Sequence, residues 1–273
     1  MKKTVIVLSA VCLSAFLYVS CSNNDDIINQ FDTTSVSASV VIDALTDLDI
    51  KNALTITNTN PAAKPAETPV TNCANITVES PSGTEYPKVY TVDYGTGCTL
   101  NNIARKGKLK ITLTGPVIAT GSKMTIERIN YSLNNFLLEG TIEYTNTTAT
   151  ATVPQWTRKV TNGKLTDILG RTFTNSGTCT VKQTAGVDTP YVLEDNVYEM
   201  TEGNHTVTSG TGGTVTLTIQ ETLIKKYSCE YVSQGKLKIQ NTFLNGVVDY
   251  GNNTCDNKYT YTHENGTTYT LSM

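Results

Sequence analysis

His205 and His263 are the chain's near-neutral acid–base groups. His205 sits in Glu202-Gly203-Asn204-His205 ahead of a glycine-rich turn, and His263 lies beside Asn265-Gly266. Neither has a second acid, base or nucleophile at a motif spacing, so both are expected as solvent-exposed turn residues. Without a base, no serine or cysteine here is activated as a nucleophile. A glycosidase would use two carboxylates. Asp93 and Asp249 are the acids that recur, in Val92-Asp93-Tyr94-Gly95 and Val248-Asp249-Tyr250-Gly251. The plainer expectation is that each accepts backbone hydrogen bonds in its glycine turn, as Asp256 would in its own. Asp43, Asp47 and Asp49 lack the glycine and closing glutamate of a calcium loop and read as a solvated helix face. Trp156, the single tryptophan, could stack on a sugar but is expected in the core. Gly210, Gly212 and Gly213 precede an alternating segment rather than a helix, which suits a turn and not a phosphate cradle. The pattern therefore assigns no catalytic residue, no metal ligand and no cofactor.

Seven cysteines are present. Cys12 lies in the leader and Cys21 at its end, which leaves Cys73, Cys98, Cys179, Cys229 and Cys255. Their spacing suggests two disulfides, Cys73 with Cys98 and Cys229 with Cys255, and one spare thiol at Cys179. Each short loop closed in this way would contribute about 3 to 3.5 kcal/mol on the chain-entropy account. There is no Cys-x-x-Cys pair to suggest a zinc or redox centre.

The first residues carry processing chemistry. Met1-Lys2-Lys3 is a positive start, and the apolar run from Val5 to Leu17 falls short of the ~20 residues that span a bilayer. Residues 1–20 are thus expected to be a signal peptide. Val19-Ser20-Cys21 resembles a lipobox, which implies lipidation of Cys21 and a partner in the membrane. Asp25-Asp26 resembles the acidic export signal of Bacteroidota surface lipoproteins, and Asp32-Thr33-Thr34 resembles their glycosylation triplet. The address implied is the outer membrane, facing outwards.

Those residues need elements to hold them. Val40, Val41, Ala44, Leu45 and Leu48 recur at helical spacing, which predicts a short amphipathic helix over about 37–53. Pro61, Pro65 and Pro69 then mark an extended linker, so residues 21–72 are expected to be a lipidated tether. From residue 73 onward, period-two alternation dominates. Leu109, Ile111 and Leu113 share one face, as do Val215, Leu217 and Ile219. Further strands are predicted at 89–94, 123–130, 140–144, 197–200, 235–240, 259–263 and 268–271, with a mirror-image turn at Asn265-Gly266 joining the last two. The 48 threonines favour strands, and the 14 tyrosines against 5 phenylalanines suggest half-buried rings over a thin core. The fold class is mainly β: an antiparallel meander, curved or partly rolled into an open barrel or sandwich, filling residues 73–273. Gly107-Lys108-Leu109-Lys110-Ile111 is echoed by residues 235–239. With the Val-Asp-Tyr-Gly strings, this suggests a similar hairpin unit near each end of one domain.

The formal charge is −3, and −5 once Lys2 and Lys3 leave with the leader. That argues against nucleic acid, which needs a clustered basic surface. Arg105-Lys106-Gly107-Lys108 and Lys225-Lys226 are expected as solvated strand-edge charges.

Residues 86–95 leading to Cys98, then Arg105-Lys106-Gly107-Lys108-Leu109, Leu138-Glu139-Gly140-Thr141, and Val248-Asp249-Tyr250-Gly251 to Cys255-Asp256-Asn257 together resemble a family of Bacteroidota outer-membrane lipoproteins. The resemblance implies the β architecture and the cell-envelope address. It implies no activity, because that family has none established. The expected function is a surface-exposed binding or structural module with a glycan or protein ligand. The alternatives are a glycan-active enzyme and a periplasmic carrier of an apolar ligand.

Overall fold

The structure is a computed structural model and describes residues 24–58, 73–242 and 244–273. Cys12, Cys21 and the prolines of the linker lie outside those residues. Among the described residues, one helix, α1 (Asn24–Thr57), precedes fourteen strands. The first seven are β1 (Asn75–Glu79), β2 (Lys88–Asp93), β3 (Cys98–Leu100), β4 (Ile103–Leu113), β5 (Lys123–Leu133), β6 (Phe136–Asn146) and β7 (Gln155–Thr166). The rest are β8 (Thr172–Ala185), β9 (Val197–Ser209), β10 (Thr214–Lys226), β11 (Gln234–Gln240), β12 (Asn245–Asn252), β13 (Lys258–His263) and β14 (Thr268–Ser272). They form one antiparallel meander in which each strand pairs with its neighbours in sequence, except that β3 pairs only with β4 and β2 passes directly to β4. β1 and β14 are the edges and do not pair with each other, so the sheet is rolled but not closed. Both edges are five residues long, too short to offer much template for another chain.

What the sheet rolls around is α1. The helix bonds Arg128 and Tyr131 of β5, Arg158 of β7 and Tyr259 of β13, and it reaches Tyr94 beyond β2 and Tyr227 beyond β10. One helix can meet side chains from β2 through β13 only if the sheet curves about it. Val36, Val40, Leu48 and Ala53 are at most 1% exposed, and burial of each larger apolar side chain contributes roughly 1.5–3 kcal/mol. The expected tether therefore ends differently: the helix is longer than 37–53, and its side chains belong to the same core as the sheet. The Asp face is not solvated either, because the roll surrounds it. Asp49 is fully buried.

Long strands bend this sharply because glycines sit in their middles. Gly107 in β4 has φ +77°, and a Cβ there would lie 2.0 Å from the Asn130 carbonyl oxygen of β5. Gly140 in β6 has φ +97° and would meet the Asn162 carbonyl oxygen of β7 at 2.5 Å. The ladder shifts register at both places, which bends the strands and tightens the local twist.

The two recurrent strings pair with each other. Asp93 stands opposite Lys108 where β2 meets β4, and Asp249 opposite Lys236 where β12 meets β11. The units thus lie near opposite ends of the sheet, with their strand order reversed. Beside them stand the two disulfides, Cys73–Cys98 and Cys229–Cys255.

Three expectations change. The last hairpin forms, but with residues 264–266 in the loop and positive φ at Gly266 alone, a three-residue turn instead of the mirror-image pair. Arg105 and Lys225 are buried on the inner face of strands in the sheet interior, not on solvated edges. Tyr131 and Tyr261 are fully buried rather than half exposed, because the helix adds an inner layer to the core.

Candidate functional site

The inner faces of β7, β8 and β9 carry polar groups where a sheet facing only apolar neighbours would carry none. Arg158 donates to Asp47 at 2.5 Å and to Asp43 at 3.4 Å. Nδ1 of His205 lies 3.0 Å from Asp43, and its Nε2 is 3.1 Å from the Asn175 amide. Burial works against the Asp43 carboxylate, but His205 and Arg158 together outweigh it and hold its pKa below the usual range. Two residues past Asp47, on another side of the helix facing β5, Asp49 accepts from Arg128 Nε at 2.9 Å and from the Tyr131 hydroxyl at 2.7 Å. Removing one partner from such a buried pair leaves an uncompensated charge, at a cost of about 3–5 kcal/mol. These contacts fix the helix's depth and rotation in the roll. His205 is thus a buried mid-strand residue, not the exposed turn residue its glycine-rich context suggested. Cys179 is free and buried, and burial pushes its thiol up to about 11. A thiol so protonated is a poor nucleophile.

The recurrent aspartates each serve their own turn and face their own lysine. Asp93 accepts from the Gly95 amide at 2.9 Å and pairs with Lys108 at 2.8 Å. Asp249 accepts from the Gly251 amide at 2.8 Å and faces Lys236 at 3.8 Å. Each alternates with buried neighbours, so each points off the outer face of its own strand, as expected of turn-capping residues. Asp256 caps its turn through the Lys258 amide. Residues 210–213 form the turn between β9 and β10, with a strand behind it. His263 ends β13 and its Nδ1 accepts from the Asn265 amide. Among the described residues, no group of three or more His, Cys, Asp or Glu side chains is placed to hold a metal ion.

The open concavity lies elsewhere, at the end of the roll where α1 stops. In a meander, alternate loops share an end, and here the longer ones, 80–87, 114–122, 147–154 and 186–196, surround the last turn of the helix. They enclose a cavity of about 650 Å³, within the range of small-molecule sites. Leu54, Leu113 and Trp156 form its buried floor. Trp156 stacks on Tyr144 with ring centroids 5.6 Å apart, and its indole N–H donates to the Val117 carbonyl at 3.1 Å. The tryptophan is packed, as expected, yet one part of it lines the cavity. Gln183, Asn196 and Tyr198 form a bonded polar row on one wall. At the mouth, Lys88 lies over the Tyr86 ring at 5.0 Å and 3.6 Å from Glu85, while Ile118 and Tyr191 face solvent. Sequence reasoning singled out only Trp156 among these residues. Glu85, Tyr86, Ile118, Tyr191 and Asn196 sit on loops, where no periodicity marks them, and Leu54, Lys88, Leu113, Gln183 and Tyr198 lie at the ends of the helix and strands, where alternation says nothing of a cavity.

Comparison with known proteins yields no match to a family model, a curated protein or a solved structure.

Proposed function

We propose that the chain is a lipid-anchored lipoprotein of the outer membrane, exposed at the cell surface, whose rolled β domain is a binding module that takes a glycan into the end cavity. The cavity carries this reading. It offers exposed or half-buried rings at Tyr86 and Tyr191 for sugar rings above a floor that includes part of Trp156, and hydroxyl, amide and charged groups at Thr57, Asn58, Gln183, Lys88 and Glu85 for their hydroxyls. Two observations favour binding over the alternatives. A carrier of an apolar ligand would need an open chamber within the sheet, and α1 fills that space. A two-acid glycosidase would need paired carboxylates, and among the described residues lining the cavity Glu85 is the single one.

The test uses the sole tryptophan. Titrating the purified protein with a panel of neutral and acidic oligosaccharides is expected to change Trp156 emission saturably for at least one class. Ile118→Glu, at an exposed mouth position, should abolish the change without altering thermal stability. A panel that leaves Trp156 unperturbed removes the glycan reading. The address is tested by protease shaving of intact cells: the native protein should be cleaved, and a variant with Asp25→Ala and Asp26→Ala protected.

A further inference from the structure

The end of the roll opposite the cavity has tight loops and an unusual exposure of apolar side chains. Residues 167–171 join β7 to β8 and carry Ile168 and Leu169 at the tip, 73% and 72% exposed, the highest values among the large hydrophobic residues described as exposed. This tip is held in shape. The Asp167 side chain, itself buried, accepts from the Leu169 and Arg171 amides at 2.9 Å each and from Arg171 Nε at 2.6 Å. The two aliphatic chains are therefore presented to water by a braced turn, with the half-exposed Arg171 beside them. Leu137, paired with Thr166 at the base of the turn, and Leu100, on the β3–β4 turn of the same rim, add exposed apolar surface. Scattered single exposures are ordinary on protein surfaces, but an adjacent pair on a fixed tip with further leucines along one rim is not scattered.

The same rim is where α1 enters. Thr33, Thr34 and Ser37 line a hollow together with Asp167 and Arg171, so the first described turns of the helix stand next to the tip. Upstream, α1 begins at Asn24, three residues after Cys21.

We propose that this rim docks on the lipid bilayer. Ile168 and Leu169 insert at the boundary between headgroups and acyl chains, and Arg171 lies among the lipid phosphates. An aliphatic tip flanked by a cation suits that boundary, where apolar groups gain burial and basic ones meet phosphate. The inference rests on the reading of Cys21 as lipidated. Its consequence is orientation: a lipid alone leaves the domain free to tumble, and a second contact on the same end fixes the roll upright.

The full lipidated chain is reconstituted into vesicles of phosphatidylethanolamine and phosphatidylglycerol, carrying an environment-sensitive fluorophore on either Leu169→Cys or Ile118→Cys. Cys179, buried as it is, does not compete for the label. The expected result is blue-shifted emission from the Leu169 site and roughly a twofold loss of it with lipids brominated near the headgroup, since docked apolar faces lie ~5–10 Å deep. The Ile118 site should stay water-like. If the protein floats with the vesicles but the two sites respond alike, docking is overturned and the anchor stands. If it does not float, the lipid reading and the docking built on it fall together.

Discussion

Lys225 shows how much a single buried charge can govern. Its ammonium donates to the Cys229 carbonyl at 2.7 Å inside the roll, and burial, opposed by Asp47, lowers its pKa to about 8. In the unfolded chain an ordinary lysine holds its proton to about pH 10.4. Between pH 8 and 10 the unfolded state thus binds more protons than the folded one, and stability is expected to rise with pH, at most by about 1.4 kcal/mol per unit. Above pH 10 the trend reverses, because burial keeps the hydroxyls of Tyr144 and Tyr250 neutral well past the pH at which they ionise when unfolded. Denaturant melts across this range, compared with a Lys225→Met variant, check the claim. The variant should lose the rise and keep the fall. Neither lysine burial nor the Asp43–His205 contact could be read from the sequence, since each depends on which strand the helix faces. The turn roles of Asp93 and Asp249 could be read, because they are settled within a few residues.

Elements were legible to the extent that their inner faces are apolar. The second half of β4 and the first half of β10 alternate with Leu, Ile and Val, and those halves are the parts that the sequence places, each ending at the bulge in mid-strand. β1, β3, β7, β8 and β12 were not placed, although β8 is the longest strand described. β1 and β3 are short, and β12 is interrupted by Gly246 and Gly251. The inward positions of β7 and β8 include Arg158, Asn175, Gly177, Cys179 and Gln183, which face the polar groups of α1 or their surroundings, and so the pattern of hydrophobicity breaks where the charge pattern of the helix demands it. The same logic lengthened the helix. Its acids looked like a solvent face, yet they meet cations inside. The mid-strand glycines make the tightest claim at this scale. Gly140→Ala combines positive φ with a collision against the backbone of β7, and is expected to cost roughly 1–3 kcal/mol or more. Chemical denaturation measures this. A neutral outcome would mean that β6 can bend without that residue.

At the scale of the molecule, fold class and both disulfides followed from alternation and spacing, whereas the domain boundary did not. A proline-marked linker after residue 58 separated the helix from the sheet in sequence, and nothing local revealed that the chain returns to wrap it. A polypeptide beginning at residue 59 is therefore expected not to fold: the inner faces of the strands would expose Leu109, Ile111, Ile126 and Ile142 with Arg128 and Arg158 unpaired. Circular dichroism and gel filtration of that chain, alone and with a peptide of residues 24–58 added, test this. A stable, monomeric sheet without the peptide would show the helix to be an accessory.

The passage of α1 along the roll also has a mechanical meaning. If the lipid proposed at Cys21 holds the chain and a ligand grips the far loops, the pull runs from one end of α1 to the other. Asp43–Arg158, Asp47–Arg158 and Asp49–Arg128 then tie the helix to the sheet around it, like rivets through overlapping plates. They would share the load together, in shear, instead of opening one after another.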